Sequence, residues 1–366
     1  MHDYRAWHGL GARDAPNPSD RPDQSGASDL LDASSPLLET RKAPVGAKPQ
    51  TSPLAITPAE RERLLQTRIF GRTLRSPLIL ASGILGTTKS LLKRVGQMGA
   101  GAVTIKSISV APRAGHPNPT VLSFGPGMIN AVGYSNPGLE KACEEYADLS
   151  DVPCPVIGSL IGQTPEEFAQ VAAAFDKLGF AAIEIPVSCP HTPGYGKMAR
   201  QDTPEAVHEI LSVVRKETSK PIFIKVPAAA QNLAELVAAS QEGGATGITA
   251  VNTIGPGMLI NIDARKPYLG FGIGGVSGPA LKPLAVSAVY AIASCYNLPI
   301  IGTGGVVTGE DAIELIMAGA TAVGMGTAVL TRGIEAFAQV ADEMAAWMIR
   351  HDVNNLDQIR GAVHEK

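Results

Sequence analysis

The 366-residue sequence has only four cysteines, Cys143, Cys154, Cys189 and Cys295. No two of them form a C-x-x-C pair, so a disulfide framework, a zinc site and a cysteine-ligated iron–sulfur cluster are not expected, and a reducing compartment is. No metal ligand set is predicted. A basic excess is also missing: 31 Lys and Arg stand against 34 Asp and Glu, a net charge of −3. Without a clustered Lys/Arg stripe, a nucleic-acid partner is not expected. Nor is there an uninterrupted apolar run of about 18 residues, or a basic N-terminal region followed by a hydrophobic one. Neither a membrane span nor a secretory signal is predicted, and the expected location is cytoplasmic. Residues 1–55 are short of large apolar side chains and rich in Asp, Pro, Ser, Ala and Gly. This composition predicts a flexible, solvated extension, the alternative being a docking arm for a partner subunit.

The remainder can bury a large core, since 45% of the chain is hydrophobic and 18% charged. From Pro77 onward, apolar β-type runs alternate with segments of helical periodicity. The predicted strands are Leu78–Ala81, Ala102–Lys106, Val156–Leu160, Ala182–Ile185, Ile222–Val226, Gly247–Val251, Pro299–Gly302 and Ala322–Gly326. Helical stretches include Thr164–Leu178, Pro204–Lys216, Leu233–Glu242, Leu281–Ser294, Gly309–Ala318 and Ile334–Arg350. The strand runs are mostly apolar, as parallel strands covered on both sides require. Eight such alternations predict an α/β fold, a single-domain (β/α)8 TIM barrel over residues 56–350 with a C-terminal tail at 351–366; a doubly wound open sheet is the runner-up.

In a barrel the residues just past each strand converge on one face. The stretch Ile183-Glu184-Ile185-Pro186-Val187-Ser188-Cys189-Pro190-His191 breaks from a strand into Ser-Cys-Pro, which puts the Cys189 thiol at that face, where it can act as a base. Ala81, Ser82 and Gly83 after the first strand leave room for a flat ligand. Lys106, followed by Ser107, and Lys225 end the second and fifth strands. Each needs an anionic or polar partner, either a structural carboxylate or an electron-rich ligand shared by the pair. The sixth strand ends in Val251-Asn252-Thr253 and leads into a long, irregular, glycine-rich stretch. Its Gly270-x-Gly272-x-Gly274 is not a dinucleotide loop, because no strand leads into it and the glycine spacing is wrong. Gly304 and Gly305 after the seventh strand, and Gly326 and Thr327 after the eighth, occupy the usual phosphate loops of such barrels, though glycines serving only tight turns would look the same. Asn130 and Asn136 lie in a loop too long for a plain connection and are either substrate contacts or turn formers.

These residues together resemble the dihydroorotate dehydrogenase family, in its soluble class with a cysteine base, from about Arg68 to Arg332. The carriers are Ala81-Ser82-Gly83, Thr104-Ile105-Lys106-Ser107, Pro112-Arg113-Ala114-Gly115-His116-Pro117, Gly127-Met128-Ile129-Asn130, Ser188-Cys189-Pro190, Ile224-Lys225, Val251-Asn252-Thr253, the run Gly274–Pro279 and both phosphate loops. Arg265-Lys266-Pro267 looks most like members that work with a separate electron-transfer subunit. The resemblance implies FMN held by Ala81, Ser82, Gly83, Lys106, Ser107, Ser159, Lys225, Val251, Gly275, Ser277, Gly278, Gly304, Gly305, Gly326 and Thr327. It implies a small cyclic substrate on Asn130, Gly133, His191, Asn252 and Thr253, with Cys189, Lys106 and Lys225 catalytic and dihydroorotate oxidised to orotate in pyrimidine biosynthesis. It also implies a dimer or a dimer-based assembly, with the electron acceptor left open between a soluble acceptor and a partner subunit. The sequence departs from the family at Pro186 and His191, where two asparagines ordinarily clamp the pyrimidine ring. That departure keeps a second reading in view, the same flavin chemistry on another small cyclic substrate. A non-catalytic flavin-binding or scaffold subunit is the third.

Overall fold

The structure, a computed structural model, describes residues 56–364 apart from Pro126, His191 and Gln231. The expectations for residues 1–55, 365–366 and His191 therefore lie outside the described residues. Eight parallel strands close into a barrel, which excludes the doubly wound open sheet. In chain order they are β1 (Leu78–Leu80), β2 (Ala102–Thr104), β3 (Val156–Ser159), β4 (Ala182–Pro186), β5 (Ile222–Val226), β6 (Gly247–Ala250), β7 (Ile300–Thr303) and β8 (Ala322–Met325). Each strand pairs with its successor and β8 closes on β1, with Gly324 opposite Ile79. All eight are buried throughout, as their apolar composition requires.

A helix follows every strand: α1 (Lys89–Gln97), α2 (Leu139–Glu145), α3 (Pro165–Asp176), α4 (Pro204–Glu217), α5 (Leu233–Glu242), α6 (Lys282–Cys295), α7 (Gly309–Met317) and α8 (Ala336–Arg350). Their starts are written in the sequence. Thr164-Pro165 and Thr203-Pro204 each place a threonine at the N-cap and a proline in the first turn; the threonine hydroxyl accepts from the backbone N–H of Glu167 and Ala206 respectively. Thr308 and Asp311 form a reciprocal capping box at α7. The apolar helix faces pack on the outside of the strands in one continuous core.

The two ends of the barrel differ. An antiparallel hairpin, Thr67–Ile69 with Arg72–Leu74, packs Ile69, Phe70 and Leu74 against Ile79, Ala102, Ile157, Ala182, Phe223, Ile301 and Ala322 inside the barrel. Phe70 meets Phe223 edge to face with ring centroids 5.0 Å apart. The hairpin plugs the end at which the strands begin, and the other end carries the loops. There, a four-stranded antiparallel sheet joins Val121–Phe124 and Gly127–Asn130, from the long loop after β2, to Ile254–Gly257 and Gly274–Ser277, from the segment after β6. The glycine-rich stretch expected to be irregular thus forms strands at both its ends and two short strands, Ile260–Asn261 and Lys266–Pro267, between them. Past α8, Leu356 and Ile359 are buried against the barrel core.

Candidate active site

A cavity of about 500 Å³ opens among the loops at the carboxyl ends of the strands, within the size range of small-molecule sites. Most residues expected there line it. On the cofactor side these are Ala81, Ser82 and Gly83 after β1, Lys106 and Ser107 after β2, Lys225 on β5 and Val251 after β6. They are joined by Ser277 and Gly278, Gly304 and Gly305 after β7, and Gly326 and Thr327 after β8. Two expected cofactor contacts do not line the cavity. Ser159 is fully buried behind Ser107, their hydroxyl oxygens 2.9 Å apart, and Gly275 turns its carbonyl to the Asn130 side-chain amide, which donates to it at 3.2 Å. On the substrate side Asn130, Gly133, Asn252 and Thr253 all line the cavity, as do Cys189 and Pro186.

Cys189 is only 6% exposed, and its loop is held from several directions. Ser188 donates its hydroxyl to the Lys225 carbonyl at 3.0 Å and accepts from the Asn252 amide at 3.1 Å. Lys197 N–H donates to the Cys189 carbonyl at 3.1 Å, bringing the loop back on itself. The return requires Gly196, whose φ of +56° and closeness to the Cys189 backbone leave no room for a side chain. Gln201 accepts from Gly196 N–H at 2.6 Å and donates to the Gly162 carbonyl at 2.9 Å. The Cys189 sulfur lies 3.1 Å from the Thr192 hydroxyl.

The two lysines meet different surroundings. Lys225 Nζ lies 3.6 Å from Glu184 Oε1 and donates to Ser82 Oγ at 3.3 Å. Glu184, itself 3% exposed on β4, accepts from Ser82 at 2.7 Å and from Thr249 at 3.0 Å. Lys225 therefore has the structural carboxylate foreseen as one alternative. Lys106 forms no ion pair among the described residues. Burial lowers its pKa to about 8; Cys189 opposes the shift and Lys225 adds to it.

Gly304 and Gly305 turn with φ of +136° and +81°, and a side chain on Gly305 would collide with the first turn of α6 at Lys282. Successive glycine N–H groups in such turns form a concave site for an anion. A side chain on Gly326 would meet nothing nearer than Ala81 Cβ at 3.8 Å, so the bare backbone there faces open space in the cavity. Arg332 braces this region, donating to the Val307 carbonyl at 2.6 Å and pairing with Glu343 at 2.6 Å. The lining fits a planar cofactor with an anionic tail: glycines for the tail at β7 and β8, small residues at β1, and a thiol and two lysines at β4, β2 and β5. Glu184 and Tyr134 were not singled out in the sequence. Glu184 is masked by its apolar neighbours Ile183 and Ile185, and only its place opposite a strand-borne lysine marks it.

Known proteins are similar in sequence over this framework. Residues 64–348 match the family model described as Dihydroorotate dehydrogenase. The Dihydroorotate dehydrogenase B (NAD(+)), catalytic subunit, of Pyrococcus abyssi is 41% identical over 300 residues, 81% of this chain and 98% of the relative. The protein of that name from Methanocaldococcus jannaschii is 39% identical over 308 residues, 83% and 99% of the two chains. That from Methanocella arvoryzae is 42% identical over 294 residues, 80% and 96% of the two chains. With a family match across the whole barrel and relatives aligned over nearly their full length, the chain belongs to the dihydroorotate dehydrogenase family.

Proposed function

We propose that this enzyme oxidises dihydroorotate to orotate with FMN as its cofactor, and that it delivers the electrons to a separate electron-transfer subunit within a dimer-based assembly. The observation that carries the reading is one cavity lined by a sheltered thiol, two buried lysines and the glycines after β7 and β8. Full-length similarity to proteins named as catalytic subunits supports dihydroorotate over another small cyclic substrate, and supports a partner subunit.

Gly304, Gly305, Gly326 and Thr327 would hold the FMN phosphate, and Ala81, Ser82, Gly83, Ser107, Val251, Ser277 and Gly278 would border its ring. Bound FMN supplies the two-electron acceptor at N5. Cys189, as thiolate, takes a proton from one ring carbon while the neighbouring carbon is oxidised, so that a C=C bond forms. Asn130, Asn252, Thr253 and Gly133 orient the substrate ring, with His191 in place of one clamping asparagine. Pro186 lines the same cavity but has no side-chain hydrogen-bonding group, so the hold on that edge of the ring rests on its neighbours. Lys225, fixed by Glu184 and Ser82, balances negative charge that grows on the cofactor, and Lys106 offers its ammonium to the anionic substrate.

The test is anaerobic addition of dihydroorotate to the purified protein, watching the flavin band at about 450 nm. Rapid bleaching is expected. A yellow protein that keeps its band sinks the substrate; a colourless one that takes up no FMN sinks the cofactor.

A further inference from the structure

We infer that Glu184 is the counter-charge that sets the electron affinity of the bound flavin: from behind the cavity wall, its carboxylate offsets the lysine charge facing the ring and keeps the reduced cofactor able to give its electrons up. The inference rests on the FMN reading above and adds the group that sets how readily that cofactor is reduced. The cavity lining carries Lys106 and Lys225 but, among the described residues, no Asp or Glu. Two cations with nothing to offset them would stabilise the negative charge of a reduced flavin and draw its potential up, since charge beside the ring tunes its electronics.

The offsetting carboxylate lies one layer back. Glu184, Lys225 and Thr249 come from the adjacent strands β4, β5 and β6, with Lys225 and Thr249 directly in register. Glu184 does not line the cavity, whereas Lys225 and Ser82 do. Ser82 Oγ donates to Glu184 Oε1 at 2.7 Å and accepts from Lys225 Nζ at 3.3 Å, and Thr249 donates to Glu184 Oε2 at 3.0 Å. Lys225 Nζ itself stands 3.6 Å from Oε1, farther than a direct charge-assisted hydrogen bond reaches. The ammonium is therefore steadied through Ser82 rather than capped by the carboxylate, and it remains part of the cavity wall. Both carboxylate oxygens accept a hydroxyl hydrogen, so Glu184 is held in place independently of Lys225. Glu184 is 3% and Lys225 5% exposed, so water screens the pair little and the carboxylate's field extends to the cavity.

The experiment titrates the purified, FMN-loaded, full-length protein with sulfite, which adds to flavin N5, bleaches the flavin band and leaves negative charge on the ring. Sulfite affinity and the flavin midpoint potential both read the charge around the ring, and neither needs substrate. Glu184→Gln keeps the side chain's shape and removes its charge. It is expected to bind sulfite roughly tenfold more tightly and to raise the midpoint potential by about 30 mV, the two-electron equivalent of that factor. Glu184→Asp keeps the charge but draws it back by a methylene; it is expected to fall between wild type and Glu184→Gln, and it decides the matter if the glutamine variant does not hold FMN. Thr249→Val takes a hydroxyl from the same carboxylate without changing its charge and is expected to leave both readings at the wild-type value. Readings unchanged or lowered in Glu184→Gln, or in Glu184→Asp where that variant decides, overturn the proposal, as does a Thr249→Val shift as large as that of Glu184→Gln, which would make packing the cause. A wild-type protein that takes up no FMN overturns the cofactor reading before any variant is made. A flavin that dihydroorotate fails to bleach overturns the proposed reaction and leaves the sulfite result standing, and an unshifted variant leaves the proposed reaction standing.

Discussion

A buried lysine without a carboxylate beside it keeps its charge only weakly, and Lys106 is such a group, with a pKa lowered to about 8 chiefly by burial. Two consequences follow from the sign. In the ligand-free protein the folded state gives up this proton near pH 8 while the unfolded chain holds it to its ordinary value, so stability rises with pH between those limits and the penalty is constant below them. Anion binding runs the other way, because it needs the ammonium. Orotate affinity, followed by flavin difference spectra, is expected to be flat below about pH 8 and to weaken above it, by up to about tenfold per pH unit. Lys106→Gln is expected to weaken it at every pH and remove the bend. A wild-type affinity unchanged to pH 10 would take Lys106 out of the anion site. The residues legible in the sequence were those whose type is costly or conspicuous at a strand end: Cys189, Lys106, Lys225 and the paired glycines. Glu184 was hidden because its significance lies in the lysine that sits across from it, and that is a property of the closed barrel.

At the scale of elements, the loops after β7 and β8 separate two kinds of glycine. Gly305 is required by the fold, with φ +81° and the α6 backbone in the space a side chain would need. Gly326 lies in a backbone any residue can adopt, with nothing within 3.8 Å of an added Cβ except Ala81 at that distance. Gly305→Ala is therefore expected to lower stability by roughly 1–3 kcal/mol from the backbone alone, more with the collision, and to lower Tm and flavin retention together. Gly326→Ala is expected to keep Tm and lose flavin affinity, since its methyl enters the cavity. Equal effects of the two on Tm would contradict this division. The strands were readable because strands buried on both faces are continuous apolar runs with turn residues between them. Helix α2 was not: it is seven residues long, and Gly138 at its N-cap offers no side-chain hydrogen bond. The antiparallel sheet over the barrel mouth was not either, because it pairs Gly275 with Asn130, far away in the chain, through segments whose glycine and proline content hides any period of two.

For the molecule as a whole, the question is where the electrons go after the substrate is oxidised. A glycine-lined cavity lies at the barrel mouth, and the relatives the chain matches bear NAD(+) in their names together with the words catalytic subunit. A dinucleotide site would need a strand running into a glycine-rich turn that opens a helix, so that the pyrophosphate meets the helix N-terminus. The glycine series Gly270, Gly272 and Gly274 has the opposite order: it runs into the strand Gly274–Ser277, and Gly274 is packed against the Asn130 backbone. Two of the remaining cysteines, Cys143 and Cys295, lie on the outer helices α2 and α6, and Cys154 packs beside Gly96 of α1, all away from the cavity lining. Among the described residues the glycine series does not form such a dinucleotide turn. After anaerobic reduction by dihydroorotate, NAD+ alone is expected to leave the flavin bleached, whereas a dye acceptor that reaches the cavity mouth is expected to restore colour and multiple turnovers. Reoxidation by NAD+ alone at the dye-supported rate would mean that this chain completes the electron path by itself and would remove the need for a partner subunit.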